Sequence, residues 1–176
     1  GMPLRDALLF VHNTLVGAGL RDRIRIGASG KIVSAFDMAY MFATGADWVN
    51  SARGFMFSLG CIQAQSCHTN RCPTGIATQD PSRQRAVAVP EKSERVARFH
   101  RNTLHALAEL IASSGLSHPS EIGPHHLSTR TDAGEIRSLY EHLTFLRPGD
   151  LLQERLTEDT YSRAWKMADA RSFRPS

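Results

Sequence analysis

A chain of 176 residues, 41% hydrophobic and 22% charged, has the composition of one globular domain with a sizeable core. No apolar run approaches the roughly eighteen residues of a membrane span, and no basic, hydrophobic and cleavable leader opens the sequence; both readings point to the cytoplasm. The net charge of +4 is spread among 17 acidic residues instead of forming a basic stripe with aromatics, so neither nucleic acid nor a membrane is an expected partner.

Gly1, ahead of Met2, reads as the remnant of a tag and carries no functional weight. Residues 3–16 read as a helix. Pro3 suits a first helical position, Leu4, Ala7, Leu8, Val11 and Leu15 share one face, and Gly17 and Gly19 end it. His12 flanks that face and reads as a surface histidine. Ile24 and Ile26 alternate with charged neighbours, a short strand signal running into Gly27-Ala28-Ser29-Gly30. Ser34 and Asp37 make an S-x-x-D helix start, followed by Met38, Met41 and Phe42 at helical spacing and a stop at Gly45. Residues 46–53 read as a second short strand. Strand, glycine turn, helix and strand in that order predict a βαβ unit with parallel pairing. Backbone N–H groups in such turns suit a phosphate, although Gly-Ala-Ser-Gly serves equally well as a plain tight turn.

All three cysteines fall in the next stretch: Cys61, Cys67 and Cys72, spaced C-x5-C-x4-C. A helix would set Cys61 and Cys67 on different faces, and a strand would spread the sulfurs over roughly 36 Å. An irregular wrap is expected instead. Three readings of it stand side by side. The cysteines are buried small hydrophobes; or they bind zinc with His68 as a fourth ligand, although the usual C-x2-4-C pairs are absent; or they bind an iron–sulfur cluster, with Pro73 directly after the last cysteine. Spacing alone leaves zinc and iron–sulfur open.

Residues 79–89 read as an exposed connection. Residues 90–114 form a long helix with Val96, Phe99, Leu104, Leu107, Leu110 and Ile111 on its buried side and Gly115 as its cap. His118, His125 and His126 lie among turn formers and read as loop residues. Helices are expected over 132–143 and 157–168, with a frayed end at 171–176.

The run GCIQAQSCHTNRCPTGIATQDP closely resembles the cluster loop of the FMN-binding domain of glutamate synthase. There it reads approximately GCIMARVCHTNTCPVGVATQDP and carries a [3Fe-4S] cluster. Upstream, IRIGASGKIVSAFDMAYMFATGADWVNSARGFMFSLG is similar to the last two strands of that family's (β/α)8 barrel. Downstream, VPEKSERVARFHRNTLHALAELIASSGL resembles the helix after the loop. The likeness covers residues 3–128 and is nearest to the shorter, ferredoxin-linked or stand-alone members. It implies that Cys61, Cys67 and Cys72 are the cluster ligands. It further implies that Gly30 and Lys31 meet the FMN phosphate after the seventh strand, and that Ala52, Arg53 and Gly54 form the eighth-strand phosphate turn. The implied reaction passes electrons between cluster and FMN, and reduced FMN gives hydride to 2-iminoglutarate, made from 2-oxoglutarate and ammonia, to yield glutamate. Ferredoxin or another electron donor is the implied partner, and an N-methylated product is the variant known among short relatives. Two departures stand out. The family's D-G-G-L-K-T reads Ser29-Gly30-Lys31-Ile32-Val33-Ser34, with the lysine displaced, and Gln65 replaces an arginine before the second cysteine.

The expected architecture is therefore α/β: the C-terminal two βα units of a TIM barrel over residues 1–60, the cysteine loop and connection over 61–89, and a mostly helical extension over 90–176. A full barrel takes roughly 250 residues, so the chain reads as a C-terminal fragment, whether a truncated frame, one part of a split enzyme or an excised domain. Alone it is expected to be inactive, and the isolated fragment need not hold both cofactors. An N-terminal barrel portion, a partner subunit or an oligomer would cover its open strands. The alternative is a zinc-stabilised helical protein-interaction module without catalytic activity; a third reading is a cofactor-free fragment packing its helices on a partner.

Overall fold

The computed structural model describes residues 1–153, 160–172 and 174. Helix α1 (Leu4–Gly17) forms where the apolar spacing predicts it, with the Ala7 N–H bonded to the Pro3 carbonyl at 2.9 Å. After a tight 3-10 turn (Arg21–Arg23) comes strand β1 (Gly27–Ser29). The strand lies beyond Ile24 and Ile26, which the alternation assigns to it. The Asp47 carboxylate takes the Ile26 N–H at 2.6 Å, and the Ile26 carbonyl accepts from the Asp47 N–H at 2.7 Å. One acidic residue thus satisfies the backbone that a ladder would otherwise pair.

Helix α2 (Ala35–Ala43) starts on the predicted reciprocal cap, Ser34 N–H to Asp37 Oδ2 at 3.0 Å and Asp37 N–H to Ser34 Oγ at 3.1 Å. Strand β2 (Trp48–Asn50) is the hydrogen-bonded neighbour of β1 in a two-stranded sheet. Strand, helix, strand is the observed order. The second strand, however, is shorter than 46–53: Ala52 and Arg53 already open helix α3 (Ala52–Leu59), which the sequence reading passed over. Gly60, at φ +108, stops it, and the Cys61 N–H returns to the Met56 carbonyl at 3.0 Å. The first cysteine is thereby fixed to a helix end.

The connection at 79–89 contains a single-turn helix, α4 (Pro81–Gln84), capped by Asp80. Helix α5 (Val89–Ser113) is the predicted long helix, with Gly115 at φ +75 just past its end. Leu107 and Ile111 are buried, but Leu104 is 48% exposed and does not belong to the buried side. The helix expected over 132–143 is absent. Its place is taken by an antiparallel hairpin of β3 (Ser128–Arg130) and β4 (Ile136–Ser138), in register Ser128↔Ser138 and Arg130↔Ile136, followed by a short helix α6 (Leu139–His142). The turn decides this. Gly134 sits at φ +82, its N–H reaches the Thr131 carbonyl at 2.8 Å, and Ser138 with Glu141 forms a capping box that starts α6 afresh. Helix α7 (Thr160–Lys166) lies within the predicted 157–168, whose start falls outside the described residues, as do residues 173, 175 and 176 of the final stretch. Among the described residues no helix is long and apolar enough to cross a membrane.

The chain is thus a mixed α/β structure with few strands, divided into two compact units. The first comprises residues 1–28, 40–48 and 120–176. Its centre is Asn13, fully buried: its Nδ2 donates to the Thr144 carbonyl and the Tyr161 hydroxyl, both at 2.7 Å, and its Oδ1 accepts the Leu146 N–H at 3.1 Å. The second unit comprises residues 29–39 and 49–119. Here α3 packs on α5, with Phe55 edge-on to Phe99 at 5.4 Å between ring centres.

Candidate functional site

Within the second unit a cavity of about 390 Å³ lies between two strand-end turns and the cysteine loop. Ser29, Gly30 and Lys31 form the first wall, where β1 ends and the chain turns towards α2. Asn50, Ala52 and Arg53 form the second, where β2 gives way to α3, and Met56 and Phe57 on α3 supply the apolar floor. Cys61, Gln63, Gln65 and Cys67 close it from the loop. Of the residues expected to contact cofactors, Gly30, Lys31, Ala52, Arg53, Cys61 and Cys67 share this one cavity. Gly54 and Cys72 do not line it.

Ser51 ties the two turns together. Its hydroxyl donates to the Ile32 carbonyl at 2.8 Å and so does not cap α3, whose N-terminus carries no side-chain cap. Uncapped N–H groups and the helix dipole favour an anion there. Lys31 and Arg53 add positive charge, and no carboxylate is among the lining residues. A phosphate is the group this wall suits. At Gly54 a Cβ would stand 2.6 Å from Phe99 Cζ, so the glycine lets α3 approach α5.

The backbone around the cavity is unusual. Among the described residues the non-glycine positions at positive φ are Lys31 (57°), Gln63 (56°), Gln65 (54°) and Asn70 (61°). All belong to the lysine turn or the cysteine loop. Such residues collect at ligand-binding segments, where surrounding contacts hold them in place.

The three cysteines are free thiols: Cys61 half-buried, Cys67 exposed in a tight turn (Cys67–Thr69), and Cys72 buried. Cys72 Sγ lies 3.4 Å from the Thr74 hydroxyl. That hydroxyl, then the N–H groups of Ala77, Thr74 and Ile76, bring the thiol down to about 7 against the opposing effect of burial. Around it, Asn70 Oδ1 accepts the Gln79 N–H at 2.6 Å and faces the Thr78 hydroxyl at 2.9 Å. Among the described residues no three histidine, cysteine, aspartate or glutamate side chains stand together as a metal-binding group, so Cys72 and His68 are not gathered with Cys61 and Cys67. In kind, the donors fit an iron–sulfur cluster, which takes thiolates from irregular loops. In place, Cys61 and Cys67 line one cavity and Cys72 does not. The flavin phosphate fits the turn wall by charge and by its uncapped helix.

Sequence reasoning missed Asn50, Met56, Phe57 and Gln63 as lining residues. The signal for Met56 and Phe57 was Ser51 before a helix start with Gly60 at its end, which marks α3; nothing in the sequence marked Asn50 or Gln63.

Residues 1–117 match a family model described as the conserved region in glutamate synthase. The chain is 43% identical over 136 residues to a glutamate synthase large subunit-like protein, YerD, of Bacillus subtilis, an alignment covering 77% of this chain and 26% of that protein. It is 34% identical over 117 residues to an archaeal glutamate synthase [NADPH] of Methanocaldococcus jannaschii, covering 66% of this chain and 23% of the relative. With the ferredoxin-dependent glutamate synthase of Pyropia yezoensis it shares 34% identity over 129 residues, 72% of this chain and 8% of that protein. The chain therefore spans a quarter or less of the length of these relatives, apart from the slightly longer share of YerD.

Proposed function

The chain belongs to the glutamate synthase family, and from that membership we propose that it furnishes the phosphate end of an FMN site and the thiolate ligands of a [3Fe-4S] cluster in a glutamate synthase-like oxidoreductase. One observation carries the reading: the lysine turn, the open end of α3 and two of the three cysteines border the same cavity. Lys31, Arg53 and the first N–H groups of α3 would hold the phosphate. Cys61, Cys67 and Cys72 would hold the cluster, Cys72 already being close to its thiolate form at neutral pH. When bound, FMN and the cluster supply the electron transfer of the reductive amination of 2-oxoglutarate to glutamate. Met56 and Phe57 keep one side of the cavity apolar and limit water beside it.

On this reading β1, α2, β2 and α3 are the last two βα units of a (β/α)8 barrel in a cytoplasmic enzyme. The other units come from an N-terminal portion or a partner subunit, and ferredoxin or a similar carrier delivers the electrons. The isolated chain is then inactive. Iron, acid-labile sulfide and flavin are to be measured on chain purified without oxygen. Iron with sulfide is the expected result, lost together when Cys61, Cys67 or Cys72 is changed to serine. Zinc without sulfide would instead establish a zinc-stabilised interaction module, and colourless protein with three reactive thiols would remove the cluster from the proposal.

A further inference from the structure

The stretch from Cys67 to Asp80 doubles back on itself, and one side chain ties its two limbs. Asn70 holds a left-handed backbone at φ +61, a conformation asparagine tolerates better than other side chains. From there Oδ1 accepts the Gln79 N–H at 2.6 Å. The buried Thr78 hydroxyl is shared between that oxygen, at 2.9 Å, and the Asn70 carbonyl, at 2.7 Å. Gln84 completes the ring by donating to the Thr78 carbonyl at 2.8 Å. Cys72 and Gly75 lie inside these contacts, with the Gly75 N–H on the Cys72 carbonyl at 3.2 Å. Every partner in this ring comes from the chain itself. None of its contacts uses a cysteine sulfur. The limb at 62–65 differs: its residues are exposed, and Gln63 and Gln65 hold left-handed backbone.

We infer that Asn70 is a positioning residue that forms the turn around Cys72 before any cluster arrives. This rests on the cluster reading given under Proposed function for its purpose, but the clamp's own hydrogen bonds involve no cysteine sulfur. Ligand loops more commonly take shape as the metal binds; here the limb that carries Cys72 is held by hydrogen bonds of the chain itself.

Two substitutions isolate the side-chain oxygen from the backbone angle. Asn70→Gly keeps the left-handed conformation and removes Oδ1, whereas Asn70→Asp keeps an acceptor for both donors. The full chain is prepared free of iron, and two properties are followed: amide hydrogen exchange at Gln79 by NMR, and the alkylation rate of Cys72 by iodoacetamide with mass mapping. A third readout, on protein reconstituted with iron and sulfide without oxygen, is the half-life of the cluster against a chelator. Asn70→Gly is expected to speed Gln79 exchange about tenfold, the equivalent of one lost hydrogen bond. It should also speed Cys72 alkylation and shorten the cluster's half-life, while Asn70→Asp behaves as wild type. Exchange and alkylation unchanged in Asn70→Gly overturn the inference, and so do faster rates with a wild-type cluster half-life. If wild type itself takes up neither iron nor sulfide, the cluster reading falls, and exchange with alkylation alone decides the clamp: faster in Asn70→Gly supports it, unchanged overturns it.

Discussion

Lys31 combines two properties that a turn residue rarely has together. It holds φ +57 and it lines the cavity. In the related family pattern this position is the second glycine of D-G-G-L-K-T, so a side chain here adopts a backbone that glycine would adopt without strain. A left-handed non-glycine residue costs about 1–2 kcal/mol, and glycine's extra chain entropy offsets about 0.5–1 of that. Lys31→Gly is therefore expected to change stability by at most about 1.5 kcal/mol, towards greater stability, while, on the proposed phosphate role, weakening FMN binding roughly tenfold or more through the lost charge-assisted contact. Arg53→Ala should weaken FMN to a similar extent with stability within about 0.5 kcal/mol, since it is an exposed residue. Flavin fluorescence titration and denaturant melts on the same samples measure both; FMN bound as tightly by both variants as by wild type would remove the phosphate assignment. At this scale much of the cavity's lining was legible, because Gly30, Lys31, Ala52, Arg53, Cys61 and Cys67 sit in the stretches that carry the family resemblance. The close approach of Gly54 to Phe99, 45 residues away in the chain, was not, because no local pattern announces such a contact.

Helices α1 and α5 were readable because each carries an apolar stripe several turns long with a stop at its end. Short elements were not. The stretch 132–143 has the composition of a helix, but Gly134 and the Ser138 cap divide it into hairpin and helix, and two local signals outweighed a weak periodicity. In α3, eight residues carry too little periodic signal to stand apart from the strand before it. Positive-φ glycines in these segments differ in a way that can be tested. At Gly134, φ +82, a Cβ would meet nothing within 4 Å; at Gly75, φ +76, it would stand 2.2 Å from the Arg83 carbonyl oxygen. Gly134→Ala is expected to cost at most about 1.5 kcal/mol, the left-handed penalty less the chain entropy that alanine saves. Gly75→Ala adds an overpacking term of about 1–3 kcal/mol, because a backbone atom cannot turn aside as a side chain can. Urea midpoints of the two variants should fall in that order. Equal midpoints would mean that α4 yields freely and does not hold the cysteine loop in place.

For the molecule as a whole, the first unit depends on polar groups that must keep one protonation state. Asp47 accepts the Ile26 N–H at 2.6 Å, Arg21 at 2.9 Å and Arg25 at 3.1 Å. Burial opposes its charge, but the Ile26 N–H and the guanidinium groups of Arg25 and Arg21 outweigh it and hold the carboxyl below the ordinary carboxylate range. His12 is half-buried, and its Nδ1 accepts from Arg21 Nε at 3.2 Å, which only an imidazole unprotonated at that atom can do. Burial first, then the Arg21 charge, lower its pKa from 6.5 against a smaller opposing effect of Asp47. The signs agree for the two groups. Each binds protons more readily in the unfolded chain, so stability rises with pH across its window. The His12 contribution is complete above about 6.5 and lost as pH falls through its lowered folded value; the Asp47 contribution is complete above about 3.9 and lost below that. Acidification is therefore expected to weaken the first unit in two successive stages. Both tryptophans, Trp48 and Trp165, belong to that unit, so their fluorescence in urea titrations between about pH 7.5 and 3.5 follows it directly. His12→Gln, which retains an acceptor but cannot titrate, should flatten the upper stage and leave the lower one. Asp47→Asn should lower stability at neutral pH by removing both ion pairs while weakening the dependence on acid below about 4. A midpoint that stays constant from pH 7.5 to 5 in the unaltered chain would show that His12 does not need to remain neutral, and the Arg21–His12–Asp47 cluster would then hold the unit by ion pairing alone.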